Sequence, residues 1–135
     1  MSLCNQTEDL VFSGLRVLVV DNNLDSRELL AFVLEQQGAE VATATCVDEA
    51  IAIVKQQKPD ILLSEIALPE KDGYALVHQV RDLAEQQPSP ILAIATTGRA
   101  GLDDRLLSLQ AGFQAHVAKP IDFDALTALV LEMTR

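Results

Sequence analysis

Apolar residues in this chain form short runs that alternate with segments of helical spacing. Five runs are short and mainly apolar or β-branched, as in strands buried within a sheet. These runs are Arg16–Val20, Glu40–Thr45, Asp60–Glu65, Ile91–Ala95 and Ala115–Ala118. Apolar residues recur at i, i+3 and i+4 in five further segments, which predicts helices. The first predicted helix is capped by Asp25 or Ser26, has Leu29, Leu30, Val33 and Leu34 at helical spacing, and ends at Gly38. The others are Asp48–Gln57, Tyr74–Glu85, Leu102–Ala111 and a last one capped by Asp122 or Asp124.

Strict alternation of strands with helices of about ten residues implies a parallel sheet with right-handed crossovers and helices on both faces. We therefore predict a doubly wound α/β fold of five strands and five helices, occupying residues 15–135. The second strand is less apolar than the others and is expected near a sheet edge. Residues 1–14 are polar with little period and end in Ser13-Gly14, so they are interpreted as a linker or N-terminal arm, of which residues 1–3 could be a cloning remnant.

Composition narrows the classes of protein that fit. The 135 residues are 49% hydrophobic, enough for one domain with a sizeable core. Twenty acidic against ten basic side chains give a net charge of −10, which argues against a nucleic-acid interface and suits a cytoplasmic protein. Cys4 and Cys46 lack CxxC or metal-ligand spacing and are expected to be reduced thiols. No membrane span or signal peptide is apparent.

Polar residues that can carry chemistry follow four of the five strands. They are Asp21 and Asn22 after the first strand, Glu65 at the end of the third, Thr97 after the fourth and Lys119 after the fifth. The carboxyl ends of parallel strands are where ligands collect. Oxygen ligands suit Mg²⁺, and a hydroxyl with an ammonium suits phosphoryl oxygens. The chain has no GxGxxG and no GxxxxGK[ST] motif, which argues against dinucleotide and P-loop chemistry.

Four groups of residues form a specific combination, although each group alone is a weak signal. They are Val19-Val20-Asp21-Asn22 with Ser26-Arg27-Glu28-Leu29-Leu30, Leu68-Pro69 with Asp72-Gly73, Thr97, and Ala111-Gly112-Phe113 with Lys119-Pro120. With these motifs the chain resembles the receiver domains of bacterial two-component response regulators, and especially those attached to hybrid histidine kinases. The resemblance covers residues 15–135.

The resemblance implies a flavodoxin-like (βα)5 fold and a regulatory function rather than an enzyme, although the parent of an excised hybrid receiver would be a histidine kinase. In such domains an aspartate ending the third strand accepts a phosphoryl group from a kinase histidine, with Mg²⁺ bound by acids after the first strand. Asp21 then matches the first acid, Thr97 the switch hydroxyl, Lys119 the phosphoryl-binding lysine and the Ala67 carbonyl a metal ligand. Implied partners are a histidine kinase, a phosphotransfer domain or other domains of the same chain. The resemblance also allows a dimer through the face that runs from the fourth helix to the fifth helix.

Three positions depart from this pattern. Glu65 stands at the phosphoacceptor position, Asn22 at that of the second acid and His116 at that of the aromatic switch residue. The extra methylene of Glu65 moves its carboxylate about 1.5 Å, and a misplacement of about 1 Å can cost a hundredfold in rate. Asn22 removes a charge, so Mg²⁺ binding at Asp21, Asn22, Glu65 and Ala67 is expected to be weak.

The departures favour a degenerate receiver that acts as a regulatory interaction module. Within that hypothesis, Glu65 could pair with Lys119 and accept from Thr97, imitating a phosphoryl group, or the domain could be insensitive to signal. Two alternatives remain: a competent phosphoacceptor that uses Glu65 or Ser64, and a small doubly wound enzyme unrelated to signalling. Ser64 is expected to point to the face opposite its neighbour, which counts against it. His116 is interpreted as a half-buried strand residue.

Overall fold

The computed structural model describes residues 10–84, 91–98 and 102–134, and within them the chain forms one parallel five-stranded sheet. The spatial order of the strands is β2-β1-β3-β4-β5, and every neighbouring pair is parallel. The strands are β1 (Arg16–Val20), β2 (Glu40–Ala44), β3 (Ile61–Glu65), β4 (Leu92–Thr97) and β5 (Ala115–Ala118). The predicted doubly wound (βα)5 fold is confirmed, and β2 lies at a sheet edge as expected.

Helices follow each strand and cover both faces of the sheet. They are α1 (Leu24–Gln36), α2 (Val47–Gln57), α3 (Gly73–Ala84), α4 (Leu102–Ala111) and α5 (Phe123–Thr134). Because side chains alternate along a strand, Leu62 packs in a cluster with α2 and α3, and its neighbour Leu63 packs in a cluster with α1 and α5. All five residues of the central strand β3 are buried, so the carboxylate at its end is delivered to one fixed place.

Several predicted boundaries and side-chain positions differ in the structure. The cap of α1 is Asn23, whose side chain accepts a hydrogen bond from the Ser26 amide at 2.9 Å, so the prediction of Asp25 or Ser26 was wrong. Of the apolar positions at helical spacing in α1, Leu30 and Leu34 are buried, and Leu29 is 52% exposed. At α5, Asp122 is the cap, since its carboxylate accepts from the Ala125 amide at 3.1 Å.

The fourth strand is longer than its apolar run. It was expected to end before Thr96, but β4 continues through Thr97 because both threonines pair with residues of β5. Burial explains why the pattern missed this end: Thr96 and Thr97 are 2% and 4% exposed, although threonine is polar. The predicted loop at Gln86–Pro90, and Cys4, lie outside the described residues.

The segment Leu10–Gly14 packs against the domain. Phe12 is 2% exposed and belongs to the cluster formed with α1 and α5, and its amide donates to the Gln37 carbonyl at 2.8 Å. Residues of the expected arm therefore contribute to the hydrophobic core.

Arg81 of α3 joins three separate parts of the chain. Its guanidinium donates to the carbonyls of Ile91 and Gly112 and to the Gln114 side chain, which itself accepts from the Ala93 amide. Gly112 has a φ of +123°, a conformation that favours glycine. Arg81 thus fixes the turn that leads into β5. None of the described helices is long and apolar enough to cross a membrane.

Candidate functional site

Asp21 directly follows β1 and is held by its own chain and by α1. Its amide donates to the Ala44 carbonyl at 3.1 Å, and its Oδ1 accepts from the Asn23 amide at 2.9 Å. Arg27 Nη1 donates to the Asp21 carbonyl at 2.9 Å. With 3% of its surface exposed, Asp21 has a fixed orientation and needs a positive partner to offset the loss of water.

Glu65 ends β3 and is 6% exposed. Its Oε1 accepts from the amides of Ile66 and Ala67, each at 3.1 Å. Its Oε2 lies 2.6 Å from Lys119 Nζ. Both carboxylate oxygens are therefore engaged within the protein, one by backbone donors of the following loop and the other by the lysine.

Lys119 lies between the two acids. Its Nζ is 2.8 Å from Asp21 Oδ2 as well as 2.6 Å from Glu65 Oε2, and its amide donates to the Thr97 carbonyl at 2.8 Å. Burial by itself lowers the pKa of Lys119, but the hydrogen bonds and negative charges of Asp21 and Glu65 together outweigh it, and the pKa is raised. The ammonium is therefore the charged centre of a compact acid–lysine–acid cluster.

The loop after β3 approaches this cluster closely because it contains Gly73. The Gly73 amide donates to the Ile66 carbonyl at 2.8 Å, and a Cβ at this position would lie 2.6 Å from the Glu65 carbonyl oxygen. A side chain would push the loop away from β3. Asp72 accepts from the Ala75 amide at 3.0 Å and so stabilises the start of α3.

The remaining predicted residues have different environments. Asn22 is exposed, Thr97 is buried at the end of β4, and His116 is partly buried with no hydrogen-bond partner at Nε2 among the described residues. Ser64 is fully buried, and its hydroxyl donates to the Glu65 carbonyl at 2.9 Å. Ser64 therefore has no access to a phosphodonor.

The sequence predicted that Asp21, Glu65 and Lys119 lie at the same edge of the sheet. In the structure, the ammonium of Lys119 contacts both carboxylates. It did not assign a role to Arg27 or to the amides of Ile66 and Ala67. Arg27 lies in a quoted motif, but nothing in the motif indicates that its guanidinium binds a carbonyl. Backbone amides carry no signal in a sequence pattern.

The donors present do not fit a divalent cation as they are arranged. Within the described ranges, no three His, Cys, Asp or Glu side chains are grouped so that they could hold a metal ion. The Lys119 ammonium bridges Asp21 Oδ2 and Glu65 Oε2 and so occupies one oxygen of each acid. A metal ion would have to compete with a resident positive charge.

An apolar cleft opens beside the cluster. It has a volume of about 620 Å³ and lies between the start of α1 and the connection from β5 to α5. Asp21 and Lys119 line its polar end, and Leu29, Pro120 and Phe123 are among its apolar lining residues.

Comparison with known proteins identifies the family. The model of the response regulator receiver domain matches residues 17–131. The chain therefore belongs to the receiver domain family. Receiver domains are regulatory domains of two-component signalling. The resemblance inferred from the motifs is confirmed.

Individual relatives differ in how much of their length the chain covers. An uncharacterized 14.6 kDa protein in the sodA1 3′ region of Leptolyngbya boryana is 41% identical over 106 residues, which are 78% of this chain and 79% of that protein. The signal transduction histidine-protein kinase BarA of Escherichia coli K12 is 30% identical over 118 residues, 87% of this chain but 13% of the kinase. The chain spans about half the length of several transcriptional regulators that it also matches.

A solved structure confirms the fold. The co-crystal of the Saccharomyces cerevisiae phosphotransfer protein Ypd1 with the receiver domain of Ssk1 superimposes with a TM-score of 0.84. The sequence identity is 24%, and the match covers 90% of each chain.

Proposed function

We propose that this chain is a receiver that accepts a phosphoryl group poorly and acts as a regulatory interaction module of a two-component pathway in the cytoplasm. The observation that carries the proposal is the double engagement of Glu65. One oxygen binds two loop amides and the other binds the Lys119 ammonium. Charge-assisted contacts of this kind are stronger than neutral hydrogen bonds, so they hold both oxygens in place and reduce the negative charge available for attack on phosphorus.

The position of the Glu65 carboxylate is a second obstacle to phosphoryl transfer. Phosphoryl transfer depends on in-line positioning of the nucleophile, and there is little other chemistry for the protein to perform. The additional methylene of Glu65 displaces the carboxylate by more than the distance of about 1 Å that can cost a hundredfold in rate. The fixed backbone of β3 cannot compensate, because all of its residues are buried.

Weak Mg²⁺ binding is the second part of the proposal. Asn22 brings no charge and is exposed, and the Lys119 ammonium offsets one of the two carboxylate charges of Asp21 and Glu65. Without a well-bound cation, the charge that develops on a transferring phosphoryl group is less stabilised.

The Glu65–Lys119 contact favours a second candidate, in which the domain rests in an active-like state. A carboxylate that binds the phosphoryl-binding lysine and loop amides imitates part of a phosphoryl group. Such an imitation carries one negative charge, whereas a phosphoryl group carries about two. A domain that does not respond to a signal and a domain held in an active-like state would present different surfaces to partners.

Partners of the proposed module are a histidine kinase, a phosphotransfer domain or other domains of the same chain. The outer surface of α1 supports a protein partner, because Leu24, Leu29 and Phe32 are 55%, 52% and 59% exposed. Of these three residues, Leu29 also lines the apolar cleft. The structural neighbour Ssk1 was crystallised with a phosphotransfer protein. Leucines 106, 107 and 109 of α4 are also about half exposed, which keeps the dimer through the α4–α5 face a prediction.

The test is intact mass after incubation with acetyl phosphate and Mg²⁺, on the wild type beside Glu65→Asp. We expect one added phosphoryl group on the aspartate variant and none on the wild type, because shortening the side chain frees it from the loop amides. Ser64→Ala in the Glu65→Asp background is the matched control and should leave the added mass unchanged.

A phosphoryl group on wild-type Glu65 would overturn the proposal. If neither protein is modified, Asn22→Asp combined with Glu65→Asp separates a metal defect from a geometric one. Gain of phosphorylation only in that double variant would mean that the missing acid contributes to the loss.

A further inference from the structure

The segment Leu10–Gly14 is held beside the C-terminal end of α1, at the edge of the sheet where β1 begins, whereas the acid–lysine–acid cluster lies at the edge where the strands end. Phe12 is buried with α1 and α5, and its amide is bonded to the Gln37 carbonyl. Gly38 has a φ of +99°, and a Cβ there would lie 2.9 Å from Leu10 Cβ and 3.1 Å from the Ser13 amide. The close fit requires glycine at this position, so the segment occupies a shaped seat rather than a flat surface.

The same seat joins the ends of two helices. The Gln37 side chain exchanges hydrogen bonds with Thr127 of α5, with Nε2 to Oγ1 at 3.1 Å. Phe12 shares its cluster with Leu34 of α1 and Val130 of α5. Removal of Phe12 would therefore loosen the contact between α1 and α5.

The opposite ends of these helices frame the candidate site. At the start of α1, Asn23 and Arg27 bond to Asp21. The connection into α5 begins at Lys119, and the apolar cleft lies between the two. A helix of 13 residues is about 20 Å long, so α1 connects the seat of Phe12 directly with the residues around Asp21.

We propose that docking of Leu10–Gly14 is a regulatory input to the site, transmitted by α1 and α5. The inference rests on the proposed function in one respect: a receiver with poor phosphoryl input needs another way of being switched. Val11 is 49% exposed beside the buried Phe12 and offers a first contact to a protein that captures the segment. Capture would withdraw Phe12 from the core and change the cleft and the exposed apolar surface of α1.

Amide hydrogen exchange on the full chain tests this coupling without any phosphodonor. In Phe12→Ala we expect exchange at the amides of Asn23, Arg27 and Lys119 to rise about tenfold relative to the Leu63 amide in the central strand. Phe12→Leu keeps most of the apolar volume and should give a smaller rise in the same direction. Val11→Ala changes the exposed neighbour and should give none.

Loss of stability by itself must be separated from coupling. Val80→Ala removes core volume on the opposite face of the sheet and should not accelerate Asn23 and Arg27 selectively. The inference is wrong if Val80→Ala gives the same pattern as Phe12→Ala, or if the effect of Phe12→Ala is confined to residues near Gln37 and Val130. Phosphorylation of wild-type Glu65 would remove the proposed function and leave this result unaffected.

Discussion

Two lysines of this protein each contact a carboxylate at a similar distance, but the carboxylates that one lysine contacts are buried and the other pair is exposed to solvent. Lys119 Nζ lies 2.8 Å from Asp21 and 2.6 Å from Glu65, whose side chains are 4% and 8% exposed. Lys71 Nζ lies 3.1 Å from Asp48, and these side chains are 52% and 76% exposed. Water already solvates the second pair, whereas the first cluster depends on its internal contacts. Distance alone therefore does not indicate which ion pair matters.

The largest expected difference between the two lysines is in stability. Lys119→Met leaves two buried carboxylates facing each other without a cation, and we expect the free energy of unfolding to fall by about 3 kcal/mol. Lys71→Met should change it by less than about 1 kcal/mol. Urea unfolding followed by circular dichroism measures both, and equal losses would contradict the comparison.

The second-largest expected effect is a loss of stability when Gly73, beside the acid–lysine–acid cluster, is replaced. Gly73→Ala places a Cβ 2.6 Å from the Glu65 carbonyl oxygen, and we expect a loss of about 1–3 kcal/mol. Gly98→Ala is the matched control at the end of β4, because a Cβ there has no described neighbour within 4 Å. A stable Gly73→Ala protein would mean that the loop can move away from Glu65 at little cost.

Alkaline pH should reveal the raised pKa of Lys119. A lysine whose pKa is higher in the folded state stabilises the fold fully below its unfolded pKa of about 10.4, and the benefit is lost as the pH rises through the folded value. Stability measured from pH 9 upward, to about pH 11, should therefore decline more steeply in the wild type than in Lys119→Met. Lys71→Met should follow the wild type; a parallel decline of all three proteins would count against the bridge.

The smallest expected effect is that of salt on the Lys71–Asp48 ion pair. The screening length is about 3 Å at 1 M ionic strength, close to the separation of Lys71 and Asp48, so the coupling between these two exposed charges should be markedly weaker there. A double-mutant cycle with Lys71→Met and Asp48→Asn, in low and high salt, checks this. Persistence of the coupling at high salt would show that the surface pair is less solvated than its exposure indicates.

Hydrophobic spacing was sufficient to predict the fold. The apolar runs of the strands are short and those of the helices are longer and recur at helical spacing, so periodicity and length decided the type of each element. The bounds of α4 and β5 are those predicted. Caps and ends were less predictable because several residues can serve. Asn23 competes with Asp25 and Ser26 for the same role, and only the backbone conformation decides among them.

The site was predictable where side chains follow strands and not where the backbone supplies the contact. Asp21, Glu65 and Lys119 were placed together because parallel strands end at one edge. The loop amides that hold Glu65, and the guanidinium of Arg27, depend on the path of the chain after each strand. Phe12 was missed because a single aromatic in a polar segment has no period.

Arg81 shows that the site depends on a residue it never touches. Its bonds to the Gly112 carbonyl and to Gln114 fix where β5 begins, and Lys119 follows the end of β5. Substitution at Arg81 would therefore disturb the lysine from the opposite end of β5. A survey of harmful substitutions would then mark Arg81 as a site residue, although it acts through the placement of a neighbouring strand.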